Sequence, residues 1–444
     1  MFNINSKKNK KRRELTTQQD YYLEGIDYEQ QGERWIHSDI RKSLTNYLSA
    51  FMTYEKGISL FKGNGDRKCE YDIKFNMTRI SLVIYSEYIC NDYGMNLLKY
   101  IDLENSTLDL NKIVIPLPDI IKNFENVYTE YHDVKTWDFD YNLITSYLSY
   151  IENEEMYENI SMEELDSITE KMLMILNELI VTIQQETIQY NEAIASIEQK
   201  SNEEEMNDNS FKKEEKIEDE SDEYMEVSDT VTNDTLPEVL CIGYKYIIGV
   251  FERGIFNNEK VNQLYSALNT IEVHDAKVAE SESMIELSKL KEQINGMGLY
   301  SHAFETQEEY LNRLSKVDIT TTTLVIEFFI STIGDDDVSN KWKLCTQLNK
   351  IYNEQLKNNG LQIMYKLLLM LNLLENEIER CKLSAFLKMN EKTTHILEKN
   401  CLTMKNNIIK LCDMPSSVDK LNENIIKKLQ RQYIKDQATE LLSM

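Results

Sequence analysis

The side chains able to do chemistry are present in this sequence but scattered. Five histidines (His37, His132, His274, His302 and His395) include no H-x-x-x-H spacing. Seven cysteines (Cys69, Cys90, Cys241, Cys345, Cys381, Cys401 and Cys412) include no C-x-x-C pair. Zinc is held by several such ligands at short, repeated spacing, so no metal site is expected. An odd number of dispersed cysteines fits small buried residues in a reducing compartment rather than a disulfide framework. Asp335, Asp336 and Asp337 follow Gly334, but three consecutive carboxylates cannot converge on one ion, and the alternating ligands of a calcium loop are missing. They are expected to cap a helix beginning near Val338, where a carboxylate is favoured by the helix dipole. No phosphate-cradling G-x-x-x-x-G-K-[ST], no G-x-G-x-x-G, no G-x-S-x-G and no H-E-x-x-H occurs. The expectation is a protein without catalysis, cofactor or metal; an all-helical active site of unrecognised type is the minor alternative.

Charge points the same way. The 444 residues carry 76 acidic against 49 basic side chains, a formal net charge of -27. Such a molecule repels phosphate backbones and anionic lipid heads, and attracts basic proteins. The expected partner is therefore a basic protein client, with no direct nucleic acid and no membrane; the oligomeric state is left open. The N-terminal run KKNKKRR (Lys7, Lys8, Lys10, Lys11, Arg12, Arg13) opposes this acidity. It reads as a solvated tail and a nuclear import signal, or as a basic arm with no receptor, and places the chain in nucleus and cytoplasm. No apolar signal-peptide core precedes it. The longest apolar stretch, Leu361 to Leu374, has 14 residues interrupted by Gln362, Lys366 and Asn372. A membrane span needs roughly 20, so this is a buried core helix of a soluble protein.

The elements that must position these residues read as helices. Only 13 glycines and 4 prolines occur, too few for the frequent turns of an all-β fold. After Ser38-Asp39, the residues Ile40, Leu44, Tyr47, Leu48, Phe51, Tyr54, Ile58 and Phe61 recur at helical spacing, and KGNGDRK (62–68) ends the run as a turn. Further helices are predicted around Ile73 to Tyr88, from Pro118 through Tyr131, from a cap at Asp138 or Asp140 through Ile151, and from Met162 to about Ile197. Residues 201–235 hold fourteen acidic and three basic residues, with Glu203, Glu204, Glu205, Glu218, Asp219, Glu220, Asp222 and Glu223 the densest. Their apolar content cannot offset the cost of ordering, so they are expected to be a disordered acidic linker that engages the client. Another helix begins at Leu236-Pro237-Glu238, and helical patterning then continues to Leu442. Thr320 to Thr323, before Leu-Val-Ile, could compete as a strand, but no partner strand is visible. Tyr47, Tyr54, Tyr85, Tyr88, Tyr128, Tyr131, Tyr147 and Tyr150 are assigned mainly to packing between helices.

Within 38–61, Ala50, Tyr54 and Gly57 make a small, large, small pattern spaced four then three. Phe75-Asn76 recurs as Tyr141-Asn142, 66 residues on, near two periods of about 34 residues. Over residues 30–200 this resembles the tetratricopeptide repeat, in a fungal-type layout interrupted by an acidic stretch. The W-x2-L-G-x2-Y opening and closing proline of that family are absent, and Trp35 is out of register. The resemblance implies an all-α fold, an α-solenoid of antiparallel hairpins with a concave peptide groove and no catalysis; an irregular helical protein that imitates the spacing is the alternative. The expected organisation is a basic tail (1–19), helical repeats (20–200), the acidic linker (201–235) and a C-terminal helical region (236–444). The expected function is a non-enzymatic adaptor or dedicated chaperone for a basic protein, or alternatively a scaffold subunit of a larger complex.

Overall fold

The computed structural model describes residues 14–63, 65–91, 95–101, 109–153, 159–207, 231–273, 281–298, 304–316, 318–334, 337–358, 360–414 and 425–442. Among these residues the fold is all-helical, with fifteen α-helices and no strand. They are α1 (Gln18–Trp35), α2 (Ile40–Leu60), α3 (Arg67–Ile84), α4 (Leu117–Tyr131), α5 (Trp137–Glu152), α6 (Met162–Asn207), α7 (Thr235–Glu252), α8 (Glu259–Asn269), α9 (Glu282–Met297), α10 (Phe304–Leu314), α11 (Ile319–Thr332), α12 (Val338–Gln355), α13 (Ile363–Phe386), α14 (Glu391–Asp413) and α15 (Ile425–Glu440). No helix is long and apolar enough to cross a membrane among the described residues. The chain divides into two compact units, one of 1–135, 363–368 and 405–444, the other of 136–362 and 369–404.

Local chemistry sets the helix starts. The Thr17 hydroxyl accepts from the Asp20 N–H while the Asp20 carboxylate takes the Thr17 N–H, a reciprocal cap on α1. Asp39 and Asp66 accept the orphan N–H groups of Lys42 and Cys69 at the heads of α2 and α3. Gly63, with φ of 81°, turns the chain between those helices at a backbone angle that L side chains resist. Pro118 stands in the first turn of α4, where its missing N–H costs nothing. The threonine run is helical: Asp318 caps α11 through Thr320 and Thr321, and the Thr322 and Thr323 hydroxyls fold back on carbonyls four residues earlier.

In the first unit, α1 and α2 form an antiparallel hairpin against which α3 lies, and α3 in turn meets α4. Close approach is possible because α1 presents Gly25 to the Tyr54 ring and Gly32 to the Tyr47 ring. Gly57 of α2 makes room for Tyr21 and Ile73 in the same way. In the second unit α7 is buried on almost every side, from Val239 to Phe251, which makes it the core element. It is surrounded by α5, α6, α8 and α9, with Gly243 seated on Leu268 and Leu176, and Gly249 on Ile151.

Some sequence expectations change. The cap position of α5 is Thr136, and Asp138 and Asp140 fall inside its first turn, where they complement the helix dipole without capping. Asp337 holds the cap position of α12, but its carboxylate takes the Asn340 amide at 2.6 Å instead of a backbone N–H; Asp335 and Asp336 lie outside the described residues. Helix α3 ends at Ile84 and passes into a π-turn, Tyr85–Ile89. Helix α6 runs ten residues beyond Ile197, so Glu203, Glu204 and Glu205 belong to its last turns. The sequence puts a domain boundary at 201–235, whereas both flanks of that segment lie in one unit. Asn191 of α6 bonds Asn233 at 3.1 Å, and Thr169 meets the Tyr246 hydroxyl at 2.8 Å. The described residues on either side of the acidic stretch therefore pack together in one unit.

Candidate functional site

Two polar clusters stand inside the helical core, each built around one glutamate. In the first unit Glu29 occupies the same stripe of α1 as Tyr22, Gly25 and Gly32. Its side chain is 5% exposed. Its carboxylate accepts the Tyr54 hydroxyl at 2.5 Å and the Arg79 guanidinium at 2.6 Å. Asn76 donates to the Tyr54 oxygen at 3.3 Å. Four residues from three helices are thus tied at one point. Burial pushes the Glu29 carboxyl up against the opposing pull of Arg79, and pushes the Tyr54 phenol up as well. Nearby, the Tyr47 hydroxyl and the Arg79 Nε are buried with no partner.

The second cluster joins α12, α13 and α14. Glu377, 2% exposed, accepts Asn349 Nδ2 and Arg380 Nη1, each at 2.6 Å, and Asn400 Nδ2 at 3.1 Å. Asn376 donates to Asn349 Oδ1 at 2.5 Å and to the Cys345 carbonyl at 2.8 Å. The Arg380 guanidinium lies 4.8 Å from the centre of the Trp342 ring. In each cluster the carboxylate is spent on hydrogen bonds that join helices. Such an arrangement fixes packing and register, and offers no free acid, base or nucleophile.

Buried carboxyls give the protein a signed pH dependence. Burial raises Glu29, Glu252, Glu327 and Glu375 above the ordinary carboxylate range. These groups hold a proton more tightly when folded. The stability they contribute is complete below about pH 4.3, the unfolded value, and is lost as pH climbs through their raised folded values. Melting temperature is expected to rise as pH is lowered from about 8 to about 5.5. Below about pH 4 the trend reverses, because Asp20, held down to about 2 by the Thr17 hydroxyl and the Thr16 and Thr17 N–H groups, begins to lose its caps. A melting temperature that falls steadily from pH 8 to 5.5 would contradict this.

The sequence-predicted residues fare differently. Ala50, Tyr54 and Gly57 are all buried on α2, but the small residue facing Tyr54 is Gly25 of the neighbouring helix. Asn76 reaches across to Tyr54, whereas Asn142 bonds the Asp138 carbonyl of its own helix at 2.7 Å, so the paired dipeptides are not equivalent. Seven of the eight singled-out tyrosines are buried, and Tyr128 is half-buried. The basic run Lys7–Arg13 lies outside the described residues, as do Glu218, Asp219, Glu220, Asp222 and Glu223. His37 faces Glu87 at 3.7 Å and His395 faces Glu398 at 3.6 Å, both exposed; His274 and His302 fall outside the described residues. No group of three or more His, Cys, Asp or Glu able to hold a metal occurs among the described residues. Glu29 and Glu377 were missed; the signal was a glutamate in register with an apolar stripe.

The remaining surface of interest is α6. Leu165, Ile168, Met172, Ile175, Leu176, Leu179, Ile180 and Ile183 form its buried face. From Gln184 to Glu192 no side chain is buried, yet the helix continues to Asn207. Along its 46 residues it carries eleven acidic side chains against Lys171 and Lys200. Glu186, Thr187 and Tyr190 are half-buried and Asn191 bonds Asn233, so the helix keeps contact with its unit there while burying less than it does before Ile183.

Compared with known proteins, residues 307–444 match a family model described as the YNL193W C-terminal domain. That span contains every residue of the cluster around Glu377. No solved structure matches the chain. Over 99% of its length the chain is 28% identical to "Uncharacterized protein YNL193W" of Saccharomyces cerevisiae, covering 92% of that protein in an alignment of 524 residues.

Proposed function

We propose that the chain is a non-enzymatic, protein-binding adaptor or dedicated chaperone that engages a basic protein client through an acidic helical-repeat surface. The observation that carries this reading is α6, an acidic helix with no fully buried side chain from Gln184 to Glu192 that runs on into the acidic stretch. Carboxylates presented on an extended element act at long range and raise the encounter rate with a cationic partner. The folded helices supply shape-specific contacts.

A solenoid of hairpins is the architecture favoured here. Its support is the order of contact: α1 meets α2 and α3, α3 meets α4, α5 meets α6 and α7, α6 meets α7 and α8, and α7 meets α8 and α9. Contacts mostly between elements one or two places along the chain resemble those of stacked repeats, although α7 also meets α11 and α15 meets residues 97–100.

Titration with protamine, a small arginine-rich protein, tests the reading. Affinity is expected to fall by more than about tenfold between 50 and 300 mM salt, roughly, as screening shortens the reach of the carboxylates. Deleting residues 201–235 is expected to weaken the binding further. Affinity indifferent to both salt and deletion would overturn the proposal.

A further inference from the structure

Two of the seven cysteines, far apart in sequence, face each other across the hairpin of α13 and α14. Glu377, Cys381 and Ser384 follow one another at helical spacing on α13, as do Thr394, Leu397 and Cys401 on α14, so each set shares one side of its helix. The two sides are bonded to each other. The Ser384 and Thr394 hydroxyls meet at 3.2 Å, and Asn400, next to Cys401, donates to Glu377 at 3.1 Å. Beside those bonds the Cys381 and Cys401 thiols share a hydrogen bond. Cys401 is 2% exposed, whereas Cys381 is half-buried, and both are free thiols. Nothing in their spacing along the chain announces the meeting.

Thiols already held in contact need little further ordering to become bonded. Their acidity sets the rate. Burial, and then the Glu398 and Glu377 carboxylates, push the Cys381 thiol up, and burial pushes Cys401 up to about 12. A thiol reacts as its thiolate, so the pair rests reduced and oxidises slowly at neutral pH. Cys381 is the sulfur that a small oxidant can reach, and the covered Cys401 is the one placed to resolve it. We propose that Cys381 and Cys401 are an oxidisable pair, which hydrogen peroxide converts into a disulfide that ties α13 to α14 beside the Glu377 cluster. The Cys381 thiolate attacks one peroxide oxygen and the O–O bond breaks. The departing hydroxide takes up the Cys381 proton as water, leaving a sulfenic acid. The Cys401 sulfur then attacks the Cys381 sulfur, the S–O bond breaks, and the hydroxide leaves with the Cys401 proton as a second water. Two thiols give up two electrons, and one peroxide is reduced to two waters.

The test exposes the reduced full chain to hydrogen peroxide, quenches by alkylation and maps the cysteines by peptide mass. The parent is expected to yield one disulfide, between the peptides that carry Cys381 and Cys401, reversed by dithiothreitol. Its rate of formation should rise about tenfold per pH unit between about pH 7 and pH 9, following the thiolate. In Cys401→Ala the link is lost and a sulfenic acid accumulates at Cys381, captured by dimedone. In Cys381→Ala the covered Cys401 stays reduced under the same exposure. The linked chain is expected to melt about 4 °C or more above the reduced one. Absence of the linked peptide from the oxidised parent overturns the proposal, as does a link from either sulfur to another cysteine in its place. A rate indifferent to pH, or oxidation of Cys401 without Cys381, overturns the assigned order of attack. A linked chain that melts below the reduced one would mean that the bond forms only by displacing the helices, and the proposal falls. The linked peptide is read in the parent, so a variant that fails to fold leaves that reading intact.

Discussion

Replacing Glu377 with leucine is expected to destabilise the second unit by about 3–5 kcal/mol. The carboxylate is nearly inaccessible to water and serves three donors, from Asn349, Arg380 and Asn400. Leucine would fill a similar volume but accept nothing. The Arg380 side chain, itself only 16% exposed, would be left as a charge without a counter-charge, and two amides would lose an acceptor. Breaking one half of a buried pair costs more than the pair is worth, because the survivor must remain desolvated. The double variant Glu377→Leu, Arg380→Met removes both charges and should therefore be more stable than Glu377→Leu alone. Glu377→Gln keeps one carbonyl for the amides and should fall between the parent and the leucine variant. Urea unfolding followed by far-UV circular dichroism measures all three, and hydrogen exchange over 338–404 should locate the loss. A leucine variant within about 1 kcal/mol of the parent would show that the cluster does not hold these helices.

Much of the fold could be read from local chemistry, and the reasons for the failures are physical. Asp39 before an apolar period, Pro118 in a first turn and the turn at 62–68 each act within a few residues, and each marks a real boundary. The apolar run from Leu361 onward likewise resolves as α13. Asp138 and Asp140 misled because a carboxylate is equally at home at a cap and in the first turn, and the backbone at Thr136 decides between them. The unit boundary at Lys135 has no compositional mark, since it depends on which helices meet rather than on the residues at the junction. The acidic stretch was conspicuous, but the meeting of its flanks rests on the Asn191–Asn233 and Thr169–Tyr246 bonds, which no local window contains. Glu29 and Glu377 were hidden among 76 acidic residues. What distinguishes them is a cationic or phenolic partner brought from another helix turn or another helix.

Gly25 to alanine is the second substitution with a large expected effect, about 3 kcal/mol or more. A β-carbon at position 25 would lie 2.1 Å from the nearest ring carbon of Tyr54 and within 2.6 Å of two others, far inside the ~3.5–4.0 Å of a normal carbon contact. The ring has nowhere to go. Tyr54 is fully buried, and its hydroxyl is held between Glu29 and Asn76, so any retreat pulls on the cluster that unites α1, α2 and α3. Helix propensity works in the opposite direction, since alanine in a helix interior gains roughly 1 kcal/mol over glycine; a net loss would therefore measure the clash rather than the backbone. Gly298, where the nearest atom to an added β-carbon is 3.5 Å away, supplies the control, and Gly298→Ala should leave stability within about 0.5 kcal/mol. Shrinking the ring should relieve the strain. In a cycle of Gly25→Ala, Tyr54→Leu and the double variant, the two changes are expected to be non-additive by about 1–3 kcal/mol, with the double variant more stable than the sum of the singles predicts. Strict additivity would mean that Gly25 and Tyr54 do not meet, and the hairpin packing of the first unit would have to be redrawn. The small, large, small pattern would then belong to α2 alone, and its likeness to stacked repeats would lose its physical basis.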